Sequence, residues 1–253
     1  LTDSLILYDA PNSPCARRVR MCLIEKGVDF EIHWLNLALM DQKQPWYLAL
    51  NPNGLVPTLE HGDRVIYESN VINEYLEAVF PEPPLMPEDP YEQAQVRMWI
   101  AFELEWAKPF RDAIYETFAK DRLKSNIDDP AKLEAEITKR TSNPFYLRFA
   151  HKVLTAPKDE PFLQDKYDVL HEKMAWWEDK LSDGREWLVG GRFSFADIAM
   201  APRTDMFELI GMTDFATRYP RITAFMGRVK ARPSWAASQI LPEAGAATTR
   251  VAA

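Results

Sequence analysis

Two side chains near the start of this 253-residue chain have the types and spacing to handle a sulfur anion. Ser13 and Cys15 stand two apart in Asn12-Ser13-Pro14-Cys15-Ala16-Arg17-Arg18-Val19-Arg20. Ser13 has the right type for a helix N-cap, and Pro14 then falls at the first helical position, where its missing N–H costs nothing. Cys15 follows inside the first turn, where unpaired N–H groups and the positive end of the helix dipole lower a thiol pKa. A hydroxyl and a thiol at a helix N-terminus suit the binding and activation of an anionic sulfur. Both residues also have plain readings: Ser-Pro commonly does no more than cap, and most cysteines of soluble proteins are inert and buried.

The flanking elements put this pair where a strand meets a helix. Leu5-Ile6-Leu7-Tyr8 reads as a buried strand and residues 14–26 as a helix stopped by Gly27. Phe30-Glu31-Ile32-His33-Trp34-Leu35 alternates as a strand with one buried face does. Strand, helix and strand at this spacing form a βαβ unit with parallel pairing. Residues 36–56 read as irregular, with a short helix around Pro45–Leu48. A short strand follows Val56-Pro57, His61-Gly62-Asp63 turns the chain, and Val65-Ile66-Tyr67 returns it. Ser69 is placed to cap a helix running from Val71 to Val79, whose free N–H groups suit a carboxylate.

These pieces resemble the cytosolic glutathione transferase superfamily. The resemblance rests on Ser13-Pro14-Cys15-Ala16-Arg17-Arg18-Val19-Arg20, Leu50-Asn51-Pro52-Asn53-Gly54-Leu55-Val56-Pro57 and Glu68-Ser69, in that order and spacing, and covers the first 80 residues. It implies an α/β N-terminal thioredoxin-like domain followed by an all-α helical domain. The domains are expected at 1–80 (glutathione-binding) and 92–240 (helical, with the second-substrate site), joined by a linker at 81–91 and followed by a frayed tail at 241–253. The linker expectation has its own basis in Pro81, Pro83, Pro84, Pro87 and Pro90.

The resemblance also implies the chemistry. Glutathione is the co-substrate, and its thiol, with a pKa of about 8.5, needs a donor aimed at the sulfur to become a good nucleophile. Ser13 occupies the activating position, as in zeta-like enzymes and one group of bacterial β-etherases, and Cys15 sits where zeta-like enzymes and bacterial reductive dehalogenases carry a cysteine. The resemblance further implies a cis peptide bond before Pro57, main-chain pairing of Val56 with the cysteinyl part, and a γ-glutamyl end held by Glu68 and Ser69. Gln42 matches a ligand-reaching polar residue of zeta-like members. Leu55 stands where a lysine or glutamine often precedes the Val-Pro, which leaves that contact to another residue such as Lys43.

From Pro90 the period is helical to about residue 240. Met98, Phe102, Trp106 and Phe110 recur every four residues as one helix face. Such a stripe is ordinarily core, while in the resembled family this helix flanks the cleft. Phe102, Trp106 and Phe110 are therefore second-substrate candidates. Residues 121–160 read as an elaboration with helices around 130–140 and 145–154. Ser194-Phe195-Ala196-Asp197 has the form of a capping box; the same box starts a buried helix in the resembled family, which implies a structural role for Asp197.

Composition narrows the alternatives. A net charge of −8 and a pI near 5.2 repel nucleic-acid phosphates, and the one dense basic run lies on a helix that must bury a face. No run approaches the roughly 18 apolar residues of a membrane span. No basic region precedes the first apolar run, so no signal peptide is expected. Cys15 and Cys22 are separated by roughly 10 Å of helix rise, too far for a disulfide, which fits a reducing, cytoplasmic setting. The four histidines are scattered, so no metal site is expected, and no glycine-rich phosphate loop is present. The expectation is a homodimeric, cytoplasmic glutathione transferase of detoxification or aromatic catabolism, acting on an apolar or aromatic electrophile through a Ser13-stabilised thiolate. Alternatives are a glutathione-dependent β-etherase or reductive dehalogenase using Cys15, a zeta-like isomerase, and a non-catalytic glutathione-binding relative.

Overall fold

The computed structural model describes residues 4–120, 129–139, 141, 148 and 155–252. Strand β1 (Leu5–Asp9) pairs in parallel with β2 (Phe30–Trp34) across helix α1 (Pro14–Glu25). Two 3-10 turns at 37–39 and 41–43 and the short helix α2 (Pro45–Leu50) lead to β3 (Thr58–His61), which returns as β4 (Arg64–Tyr67) and enters α3 (Ser69–Val79). The sheet order is β4-β3-β1-β2-β5, where β5 (Thr248–Val251) comes from the far end of the chain.

Strand alternation explains the layers. Leu7, Ile32 and Leu59 are in register and fully buried, in one core with Val19 of α1 and Ile72 of α3. Tyr8 turns the other way and joins Leu35 and Tyr47 of α2 in a small second core. Tyr8 is thereby a packing residue of the strand read as buried.

The expected tail is not frayed. Residues 248–251 add β5 antiparallel to β2, with Val251 beside Phe30 and Thr248 beside His33. The edge of β2 offers unpaired main-chain groups, and the Trp34 N–H donates to the Ala247 carbonyl at 2.9 Å while Trp34 Nε1 donates to Thr249 Oγ1 at 2.8 Å. No helix-face pattern marks residues 248–251 because they are a strand.

Helix α4 (Pro90–Ile114) begins two residues inside the expected linker, because the Asp89 carboxylate accepts from the Tyr91 N–H and Pro90 is tolerated in the first turn. The linker itself is pinned by Lys26, whose Nζ donates to the Pro83 carbonyl at 2.7 Å and pairs with Glu77. Among the described residues the helical half continues with α5 (Pro130–Thr138), α6 (Glu160–Lys180), α7 (Phe195–Thr204), α8 (Phe215–Arg218), α9 (Pro220–Lys230) and α10 (Pro233–Ala237). Apart from residue 148, the helix expected around 145–154 lies outside the described residues.

Helix α7 is buried along its whole length. Its start is fixed by Asp197, which accepts from the main-chain N–H of Ser194 (2.8 Å) and of Leu188 (3.0 Å) and from the Ser194 hydroxyl. This is the structural role that the resemblance implies for Asp197.

Candidate functional site

The site forms where α1 begins. Ser13 caps this helix, its Oγ accepting from the Ala16 N–H at 3.2 Å. A hydroxyl has one donor and two acceptor lone pairs. The cap uses one lone pair and leaves the O–H proton of Ser13 available. Cys15, two residues on, is half-buried and free.

The positively charged groups around Cys15 come from two elements. Arg203, at the end of α7, places Nη2 at 3.4 Å from the Cys15 sulfur. Arg18 lies one turn along α1, almost fully buried. Burial pushes the Cys15 thiol up, but Arg18, Arg203 and a hydrogen bond with Ser69 outweigh it, against the opposing charge of Glu68, and hold the thiol below its ordinary range. Cys22 shows the contrary case: buried among apolar neighbours, its thiol is pushed far up.

Arg203 and Arg18 were not singled out by sequence reasoning, nor was Glu103 of α4, which ion-pairs with both. One signal was available. Arg203 is a lone cation following the otherwise apolar stretch Ile198–Pro202. The arginine run itself is taken up inside the molecule. Arg17 bonds Asp205, Ser238 and the Trp235 carbonyl and stacks on the Trp235 ring at 3.7 Å, while Arg20 pairs with Asp9 at 3.4 Å.

The other candidates lie beyond one end of the neighbouring strands β3 and β4: Val56-Pro57 precedes Thr58, Glu68-Ser69 follows Tyr67, and Thr58 pairs with Tyr67. The Val56-Pro57 peptide is cis. The Leu55 carbonyl beside it is held by Tyr47 and Asn51, and the next main-chain groups before β3 are those of Val56. Glu68 has a left-handed backbone (φ 71°) and accepts from Asn53 Nδ2 at 3.1 Å. Ser69 is not the N-cap expected of it. Glu68 stands at that position, the helix starts at Ser69, and the Ser69 hydroxyl is turned toward Cys15 instead.

Lys43 and Gln42 sit on the 3-10 turn facing Gly54. Lys43 Nζ donates to the Asn53 carbonyl at 3.1 Å, and the Gln42 Oε1 is buried without a hydrogen-bond partner. Gly54 permits this approach: its φ is +56°, and a Cβ there would lie 2.6 Å from Lys43 Nζ and 2.8 Å from the Gln42 carbonyl.

The aromatic stripe is rearranged. Met98 is 69% exposed, while Phe102, Trp106 and Phe110 are buried. Spacing by four drifts about 40° per step on a helix of 3.6 residues per turn, so the four residues cannot share one face. Phe102 packs on Trp176 of α6 at 4.4 Å. Trp106 and Phe110 lie behind the site, their rings 5.6 and 5.9 Å from the Arg203 guanidinium.

Among the described residues no group of His, Cys, Asp and Glu is placed to hold a metal, and no helix is long and apolar enough to cross a membrane.

The chain is similar to known proteins in both halves. Residues 12–79 match the family model for the glutathione S-transferase N-terminal domain, and residues 160–228 that for the C-terminal domain. Protein LigF of Sphingobium sp. (strain NBRC 103272 / SYK-6) is 29% identical over 219 residues, covering 84% of either chain. Glutathione S-transferase Z2 of Arabidopsis thaliana is 32% identical over 163 residues, covering 64% of this chain and 73% of its own. The crystal structure of the β-etherase LigF superposes with a TM-score of 0.78 at 27% identity, over 93% of this chain and 98% of that one.

Proposed function

The chain belongs to the glutathione S-transferase family and is a glutathione transferase; from that premise we propose that it is of the serine type, with the Ser13 hydroxyl donating to the sulfur of bound glutathione. The observation that carries this reading is the division of labour at Ser13. The cap to Ala16 uses a lone pair and leaves the proton for the sulfur. A donor aimed at a thiolate lowers its pKa and so raises the fraction of nucleophile at neutral pH.

The rest of glutathione runs past the end of β3 to the start of α3. The main chain of Val56 pairs with the cysteinyl part. The γ-glutamyl end binds at Glu68 and the start of α3, where the Glu68 carboxylate takes the ammonium and the first-turn N–H groups and Ser69 take the carboxylate. Gln42 and Lys43 close over the glycyl side.

Attack then forms a carbon–sulfur bond at an electrophilic carbon. The leaving group departs with the electron pair of its bond to that carbon. The likeness to LigF supports an apolar, aromatic electrophile, and among these a β-aryl ether: the carbon–oxygen bond breaks and the aryl oxygen leaves as a phenolate that takes a proton from water. Trp106 and Phe110 shape the acceptor side from behind Arg203. The enzyme works as a cytoplasmic homodimer in detoxification or aromatic catabolism, a reading supported by the family and by Val71 and Met98, large apolar side chains left 54% and 69% exposed on α3 and α4.

A second reading has its own observation. Arg203 at 3.4 Å makes Cys15 a depressed thiol, which suits a working thiolate that attacks the sulfur of a glutathionyl–substrate conjugate: the sulfur–sulfur bond forms, the carbon–sulfur bond breaks, and the substrate carbon leaves with that electron pair and takes a proton from water. Phenol release from a β-aryl ether and chloride release from a chlorinated nitroaromatic separate the two. Serine-type chemistry is expected to be lost in Ser13→Ala and kept in Cys15→Ala. The reverse pattern establishes the cysteine reading.

A further inference from the structure

Three ionised side chains meet in the interior behind Cys15: Arg18 from α1, Glu103 from α4 and Arg203 from α7. Their side chains are 1%, 0% and 8% exposed, and Glu103 Oε1 ion-pairs with both guanidiniums. Two cations against one carboxylate leave a positive charge uncompensated where water does not reach. Buried charge of that kind is costly unless a further anion joins it. Arg18 Nε indeed lacks a hydrogen-bond partner. Asp205, one residue beyond α7, is engaged by Arg17 and by Lys230 at 2.5 Å. The group left to complete the cluster is the sulfur of Cys15, 3.4 Å from Arg203.

We propose that Arg18, Glu103 and Arg203 are positioning residues that hold Cys15 as a thiolate, and that Glu103 sets the strength of this field by neutralising one of the two guanidiniums. The Cys15 proton goes to solvent, and the sulfur becomes the second anion of a neutral quartet. Every charged neighbour of the sulfur has a part. Arg18 and Arg203 favour the thiolate, the Ser69 hydroxyl donates to it, and Glu68 opposes it. Glu103 acts one step away, through the arginines. The consequence for turnover rests on the second reading above, in which Cys15 faces bound glutathione; the ionisation itself does not, and its test uses no glutathione.

The experiment is alkylation of Cys15 by iodoacetamide in the whole 253-residue chain as a function of pH, the sulfur displacing iodide. Cys22 is fully buried and serves as an internal control. The wild-type profile is expected to have its midpoint below the ordinary thiol value of about 8.5. Arg203→Gln raises the midpoint, slowing alkylation near pH 6 by about tenfold for every pH unit that the midpoint moves. Glu103→Gln lowers it, because both guanidiniums then act unopposed, and Arg203→Lys restores most of the wild-type profile.

Opposite movements from two side chains in contact are the signature of charge. A packing role loosens the same site in both variants and moves both profiles the same way. Movement in one direction, or none, overturns the proposal. Should a charge variant fail to fold, thiolate absorbance of wild type minus Cys15→Ser, titrated on the folded protein, decides alone. A midpoint at or above the ordinary thiol value overturns the proposal, and one below it sustains it. Failure here leaves the Ser13 reading intact, since that reading concerns the sulfur of glutathione.

Discussion

The Nη2 nitrogen of Arg203 lies 3.4 Å from the sulfur of Cys15, across 188 residues of sequence. The two residues occupy the last turn of one helix and the first turn of another, and they belong to different halves of the molecule. Helix α7 thus carries a cation from the helical half to the point where α1 opens the sheet half. Its register along that path is set at the opposite end, by the capping box of Ser194 and Asp197. The Asp197 carboxylate and the Cys15 thiol are in this way connected by one buried helix.

Asp197 accordingly has a pH signature. Burial pushes its carboxyl up to about 7, against the pull of its main-chain and hydroxyl donors. In the unfolded chain an aspartate titrates near about 3.9. Between about pH 4 and pH 7 the folded state therefore holds a proton that the unfolded state has lost, and this contribution to stability falls as pH rises, levelling above about 7. Asp197→Asn has no such titration. Urea unfolding of both proteins is expected to show the wild-type advantage shrinking by on the order of 3 kcal/mol from about pH 4 to about pH 7.5. A difference that stays constant with pH contradicts this assignment.

Gly54 is expected to control the glutathione side of the cleft. Gly54→Ala places a Cβ against Lys43 Nζ and the Gln42 carbonyl, at a backbone angle that alanine resists. The variant should lose at least about 1 kcal/mol of stability. If Gln42 and Lys43 hold glutathione, it should also raise KM for glutathione more than it lowers kcat. An unchanged KM in a folded variant would remove those two residues from the site.

The positions where sequence reasoning succeeds and fails have a common physical cause. Ser13 and Ser194 were legible as helix starts, because a cap is a bond between a side chain and main-chain groups two or three residues away. The βαβ unit and the Gly62 hairpin were legible for the same local reason. Arg18, Glu103 and Arg203 were not, because their roles exist only once three distant helices meet. Within its own helix Glu103 reads as one more solvated acid. Ser69 is an intermediate case: its place at the start of α3 was nearly right, but its hydroxyl follows a partner from α1 rather than its own helix. Strand β5 was missed since a four-residue segment needs the open edge of β2 to become a strand.

That edge yields a further prediction. Removing residues 247–253 takes away the Ala247 acceptor of the Trp34 N–H and the Thr249 acceptor of its indole. The loss is expected to cost on the order of 2 kcal/mol, from those hydrogen bonds and the part-buried Val251. Amide exchange at Trp34 should accelerate markedly. Wild-type exchange at Trp34 in the truncated protein would mean that β5 contributes no lasting protection to β2.

The central claim is that Ser13 stabilises the sulfur anion of glutathione. It is tested most directly by titrating the ultraviolet thiolate absorbance of bound glutathione in a Cys15→Ser background, with and without Ser13→Ala. With Ser13 present, the midpoint should lie well below the value of about 8.5 for a free thiol. Ser13→Ala should return it toward that value and reduce transfer by about a hundredfold, the scale on which removal of one preorganised donor acts. A midpoint that is equally low without the Ser13 hydroxyl contradicts the claim and moves the activation of glutathione to another donor.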